Sequence, residues 1–168
     1  MTRPSMSAGG LDEILAGHEE IRQVTQWLRD VAGTDWMTLE SFEGPLPGRH
    51  VINVPAPRTK GIRGRTVYDE QFLTDPAGLS IIRARVAAGE AVRVHPRIDY
   101  RVRLADSKAG LVVMAPSWTG LAMLVRSAPV MTVLRRQFER AWSHATPFEA
   151  LPPLPAVARQ PSGAKLTP

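Results

Sequence analysis

Two short stretches of this chain gather the residue types that bind anions. In one, His95, Arg97, Asp99 and Arg101 recur at every second position; the other carries Arg65, Tyr68 and Asp69. A guanidinium presents a planar fork of N–H donors that matches the oxygens of phosphate or carboxylate. Three arginines set among two acids make a polar cluster able to hold a small polar or anionic ligand. Asp106, five residues beyond Arg101, extends the second half of that cluster along a hairpin. Each residue also has a plainer role open to it. Arg101 and Arg103 can be a solvated strand face, Tyr68 a core residue with its hydroxyl outside, and His95 a strand-end turn residue before Pro96.

Other chemistries find little support. His18, His50, His95 and His144 lack metal-ligand spacing, so no metal is expected. Gly61-Ile-Arg-Gly64 is too short for a phosphate loop and has no following lysine. No Gly-x-Ser-x-Gly elbow occurs, which removes the common frame for a serine triad. Cysteine is absent, excluding disulfide frameworks, thiol nucleophiles and cysteine-bound clusters. The net charge of +5 and a pI near 10.4 invite a nucleic-acid reading. The basic residues are spread through strands rather than gathered on one helix, so direct binding to nucleic acid by this segment is a weak expectation.

The elements that must position these residues follow from periodicity. Leu11, Ile14, Leu15, His18, Ile21, Val24, Leu28 and Val31 recur at three- and four-residue intervals, which predicts one helix from Leu11 that stops near Gly33. Trp36 to Phe42 alternates as a strand. From Gly44 to Gly61 four prolines mark a long loop, in which only Val51 to Val54 has strand character. Ile62 to Tyr68 reads as an inner strand, and Pro76 to Ala88 as a helix closed by Gly89. Ala91 to His95, Tyr100 to Ala105, Gly110 to Ala115 and Leu121 to Arg126 read as strands, and Ala128 to His144 as a last helix with a core-packing stripe. Trp118, in the loop before the last of those strands, is expected as a loop anchor or a cover for the site.

Helices alternating with strands, followed by a late run of strands, predict an α/β domain with a mixed β-sheet flanked by helices. Ligands of such open sheets bind outside the carboxyl ends of strands, which places the polar cluster on that rim.

Five segments carry a family resemblance. They are Gly61-Ile-Arg-Gly-Arg-Thr-Val-Tyr-Asp69, Val86-Ala-Ala-Gly-Glu-Ala-Val-Arg-Val-His-Pro96, the hairpin Asp99–Met114, Leu124-Val-Arg-Ser127 and Leu134-Arg-Arg-Gln-Phe-Glu-Arg-Ala-Trp142. In this order they resemble the phospholipase D-like sensor domain of actinobacterial TrmB-like transcription regulators, many of which end in a LuxR-type helix-turn-helix. Active members of the superfamily carry His-x-Lys-x-x-x-x-Asp on a strand. With Asp106 at the motif aspartate, Arg101 stands at the lysine and Asp99 at the histidine. The resemblance thus implies a phospholipase D-like sandwich that lacks the histidine nucleophile and is not an enzyme, that senses a small polar or anionic ligand without a cofactor or else mediates dimerisation, and that is expected as a homodimer. DNA would be reached only through a helix-turn-helix not present here. Two alternatives stay open: a phosphodiesterase using His95 in a shifted site, and an interaction module or gene fragment without ligand.

The domain is expected over residues 11–148. Residues 1–10 are small and polar and read as disordered, and residues 149–168 as a Pro-rich linker ending in Leu166-Thr-Pro168, a common opening of LuxR-type helix-turn-helix domains. No stretch approaches a signal peptide or membrane span, so the protein is expected in the cytoplasm.

Overall fold

The computed structural model describes residues 11–44, 61–114 and 119–153. The expected disorder of 1–10, the strand at Val51–Val54, the role of Trp118 and the tail beyond 153 lie outside them.

Among the described residues the chain forms eight strands and three α-helices. In chain order these are β1 (Glu13–Ala16), α1 (His18–Val31), β2 (Asp35–Glu40), β3 (Arg63–Asp69), α2 (Pro76–Ala87), β4 (Ala91–His95), β5 (Arg101–Ala105), β6 (Ala109–Val113), β7 (Leu121–Val125), α3 (Ala128–His144) and β8 (Thr146–Pro147). One mixed sheet runs in the order β1-β7-β6-β5-β2-β3-β4-β8. β2, β3 and β4 are parallel, and every other neighbouring pair is antiparallel. The predicted α/β class, with helices flanking a mixed sheet, is the observed one.

Strand alternation assigns the faces. Trp36, Thr38 and Glu40 of β2 look toward α1 and α2, while Met37 and Leu39 look toward α3. Leu28 of α1 packs with Leu15, Trp36, Leu111 and Leu124 of the sheet. Ile82 of α2 packs with Tyr68 and Val92 of the sheet. The opposite face packs Val67, Val102 and Leu104 against Met131 and Phe138 of α3. Gly110 permits this close approach, because a Cβ there would stand 2.7 Å from Leu104 Cδ2 and 3.1 Å from Met131 Sδ.

The helix predicted from Leu11 is corrected: it begins only at His18, and residues 13–16 form an edge strand on β7. Two tertiary ties decide this. The Asp12 carboxylate accepts hydrogen bonds from the backbone N–H groups of Arg126 (2.7 Å) and Ser127 (2.9 Å) and from the Ser127 hydroxyl (2.7 Å). Gly17 then turns the chain at φ +121°, a conformation L side chains resist, and donates its N–H to the Gly120 carbonyl at 2.7 Å. Leu11 and Ile14, counted on the helical stripe, are in fact 91% and 60% exposed.

α2 starts as its sequence implies. Asp75 accepts from the Gly78 N–H at 2.8 Å and Pro76 occupies the first turn. No described helix is long and apolar enough to cross a membrane.

Candidate functional site

The carboxyl ends of the parallel strands β2, β3 and β4 fall at Glu40, Asp69 and His95. After His95 the chain loops through residues 96–100 and returns as β5. Asp69 fastens this loop: one carboxylate oxygen accepts from Gln71 N at 2.9 Å and the other from Ile98 N at 2.9 Å. The buried Asp69 is therefore a positioning residue.

Between the loop and the C-terminal half of α3 lies a cleft of about 390 Å³. His95, Arg97, Asp99 and Tyr100 line one side; Gln137, Arg140 and His144 line the other, with Leu39 and Ile98 at the floor. Arg97 and Asp99 are paired through Nε and Oδ1 at 2.5 Å. The carboxylate holds the guanidinium charge firmly, raising the Arg97 pKa. His95 Nδ1 sits 3.1 Å from the Arg97 N–H and 2.7 Å from the Arg97 carbonyl oxygen. A bare Nδ1 accepts from the former and a protonated one donates to the latter, so Nε2 is the nitrogen left for a ligand. His144 Nδ1 lies 2.8 Å from the Arg140 carbonyl. When it donates there, Nε2 carries the lone pair. The Arg140 guanidinium has no hydrogen bond or ion pair among the described residues. Two arginines against one carboxylate leave a surplus of one positive charge, and of three when both histidines are protonated.

The sequence cluster is thus divided. His95, Arg97 and Asp99 come together at the cleft. Arg65 is spent on α3, where its two terminal nitrogens donate to Glu139 at 3.0 and 2.7 Å. Tyr68 and Arg101 point to the other face of the sheet and are buried. Arg101 lies 2.8 Å from Glu40 and donates to the Ser41 carbonyl at 3.2 Å. It is not a solvated strand face, and neither is the fully buried Arg103.

Asp106 sits at the opposite end of the sheet, beside the start of β2. In a left-handed conformation (φ +53°), it accepts from the N–H groups of Gly33 (2.8 Å), Thr34 (2.9 Å) and Asp35 (2.7 Å) and from the Thr34 hydroxyl (2.9 Å). Burial opposes its charge, but these donors outweigh it and hold the carboxyl far below the usual range. Its work is to tie the end of α1 to the β5–β6 hairpin.

Sequence reasoning missed Arg140 and His144. Their spacing with Gln137 makes a polar strip alongside the apolar stripe of α3, and that strip was the available signal.

No protein-family profile matches the chain, and no curated protein matches it in sequence. Solved structures do match. Nuc from Salmonella typhimurium, a phospholipase D family member, superposes with a TM-score of 0.62 at 14% identity, over 82% of this chain and 97% of that one. NucT from Helicobacter pylori gives 0.60 at 9% identity, over 82% and 98%. TrmBL2, an archaeal chromatin protein with a novel mode of DNA binding, gives 0.59 at 11% identity. That match covers 85% of this chain but only 56% of TrmBL2.

The chain therefore has the phospholipase D-like fold, shared with a TrmB-like protein. The expectation that it is not an enzyme is corrected. It rested on Asp99 standing where the motif histidine would be, and the fold is that of a phospholipase D family member matched over nearly its whole length.

Proposed function

We propose that this domain, residues 11–148, holds a small anionic ligand in the cleft between the 96–100 loop and α3. In this reading it serves as the ligand-sensing part of a cytoplasmic transcription regulator. The observation that carries the reading is the convergence of Arg97, Arg140, His95 and His144 on one cavity with surplus positive charge. The fold shared with a TrmB-like protein supports the regulatory half. DNA contact belongs to a helix-turn-helix outside this domain, in the same chain or a partner, and the domain works as a symmetric pair. Because α3 supplies one wall and the β4–β5 loop the other, occupancy couples a helix to the sheet rim.

Isothermal titration with inorganic phosphate, a sugar phosphate and a nucleoside monophosphate tests this. Binding of at least one, weakened by Arg140→Ala, is the expected result. Absence of heat with all three, at millimolar concentration, would sink the reading.

A second reading is favoured by two histidines on one cleft. Attack of His95 Nε2 on a phosphodiester phosphorus would form a phosphohistidine as the P–O bond to the leaving group breaks. Protonated His144 would deliver the proton to that oxygen, and water would then release the phosphate. Turnover of bis(p-nitrophenyl) phosphate in the presence of a chelator, abolished by His95→Ala and by His144→Ala, would establish it. Equal background rates in all three proteins would exclude it.

A further inference from the structure

A second cavity lies between the β5–β6 turn and the middle of α3. It measures about 550 Å³ and is lined by Ser107, Thr132, Arg135, Arg136 and Glu139. The four α3 residues stand at i, i+3, i+4 and i+7, which is one stripe of the helix. The cleft uses a different stripe, through Gln137, Arg140 and His144, and the two cavities share no residue.

Both walls are held in place by the protein itself. Asp106 ties the turn to residues 33–35 through four hydrogen bonds, and Lys108 Nζ donates to the Val31 carbonyl at 2.8 Å. On the helix side, Arg65 grips both oxygens of Glu139.

The charges around the cavity do not balance. Three cations each have a carboxylate: Arg63 with Asp35 at 2.7 Å, Arg65 with Glu139 at 2.7 Å and Lys108 with Asp106 at 3.1 Å. Arg135 and Arg136 have neither a hydrogen bond nor an ion pair among the described residues. Hydrogen bonds from Arg65 come first in holding the Glu139 carboxyl below its usual range, and Arg135 and Arg63 add only the pull of their charge. The Thr132 hydroxyl is already donated to the Ala128 carbonyl at 2.9 Å, whereas that of Ser107 has no hydrogen bond among the described residues. Two unpaired guanidinium groups and one unpaired hydroxyl thus line one cavity. Adjacent like charges repel, and an anion between them reverses that cost. Guanidinium forks match the oxygens of a phosphoryl group, whose two negative charges equal the surplus.

The geometry points to a second anion site here, one that takes a phosphoryl dianion, either as inorganic phosphate or as the end group of a phosphate ester. Arg135 and Arg136 supply the charge and the N–H donors, and Ser107 donates its hydroxyl. The bound anion bridges the β5–β6 turn to α3. This site stands whether or not the cleft holds a ligand of its own.

The test uses the full chain carrying Arg140→Ala, which disables the cleft. Isothermal titration is run at constant ionic strength and pH 8, where phosphate is mainly the dianion, with inorganic phosphate and with phenyl phosphate. One equivalent should bind. Tighter binding of phenyl phosphate identifies an ester as the ligand and tighter binding of inorganic phosphate the free ion; either supports the site. Adding Arg135→Ala or Arg136→Ala should weaken binding about 10-fold, and Ser107→Ala about 3-fold. Adding Arg83→Ala, which removes an exposed arginine of α2, should leave the titration unchanged. The unliganded Tm should stay within a degree or two in the Arg135 and Arg136 variants, so their losses are not those of unfolding. Absence of binding by the Arg140→Ala chain at millimolar concentrations of both probes would overturn the proposal. So would an equal loss on adding Arg83→Ala, the mark of unspecific attraction to a basic protein. Failure of the cleft reading looks different: the Arg140→Ala chain would then titrate as the native chain does.

Discussion

Arg65 of β3 and Glu139 of α3 are joined by two hydrogen bonds of 3.0 and 2.7 Å, and the Arg65 guanidinium also lies 5.0 Å from the Phe138 ring centroid and 5.4 Å from that of Trp142. One side chain thus fastens the sheet to the helix that forms a wall of the cleft. A lysine keeps the charge but makes neither the fork nor the flat stacking. Arg65→Lys should cost about 1–2 kcal/mol in urea unfolding, with Glu139→Gln costing less because Glu139 is half exposed.

Asp106 predicts an acid-labile turn. Its folded pKa is depressed, so its stabilisation is present above the unfolded value of about 4 and is lost as pH falls from about 5 toward the much lower folded value. Asp106→Asn tolerates the left-handed backbone but loses the charge, while Asp106→Ala loses both. Expected losses at pH 7 are about 2 and 3 kcal/mol, and the native chain's advantage over Asp106→Asn should shrink on titrating from pH 5 to pH 2.

Arg140 separates binding from folding. Its guanidinium has no intramolecular hydrogen bond or ion pair among the described residues, so Arg140→Ala should leave the unliganded Tm within a degree or two. Affinity for an anionic ligand should fall about 10-fold, the loss of one charge-assisted hydrogen bond. A large Tm drop in the unliganded variant would count against this assignment.

Gly110→Ala probes how closely α3 approaches the sheet. With Leu104 Cδ2 at 2.7 Å and Met131 Sδ at 3.1 Å from the new Cβ, overpacking should cost about 1–3 kcal/mol. Adding Met131→Ala should recover part of that loss, readable as a double-mutant coupling in chemical denaturation.

Local chemistry made much of the fold legible. Ala91–His95 and Ala128–His144 appear with the predicted bounds, and α2 ends one residue short of its prediction. Each carries its own punctuation: Pro96 after β4, Asp75-Pro76 and Gly89 around α2, and Pro129 in the first turn of α3. β1 was illegible because Leu11, Ile14 and Leu15 share helical spacing with α1. The hydrogen bonds that make residues 13–16 a strand come from β7, more than 100 residues away. β8 is two residues long and owes its existence to β4.

The same division governs the site. Sequence alone determined the α/β class, the strand-end placement of His95, Arg97 and Asp99, and the supply of arginines without cysteine or metal spacing, since these depend on residue type and local period. Only the tertiary structure decided which arginine meets which carboxylate. Arg65, Arg101 and Arg103 look alike along a strand, yet alternation and packing send Arg65 to Glu139 beneath α3, and Arg101 and Arg103 to Glu40 on the opposite face. Neither Arg140 nor His144 could be joined to His95 until α3 was laid across the sheet, because a cleft is a property of elements in contact rather than of any one of them.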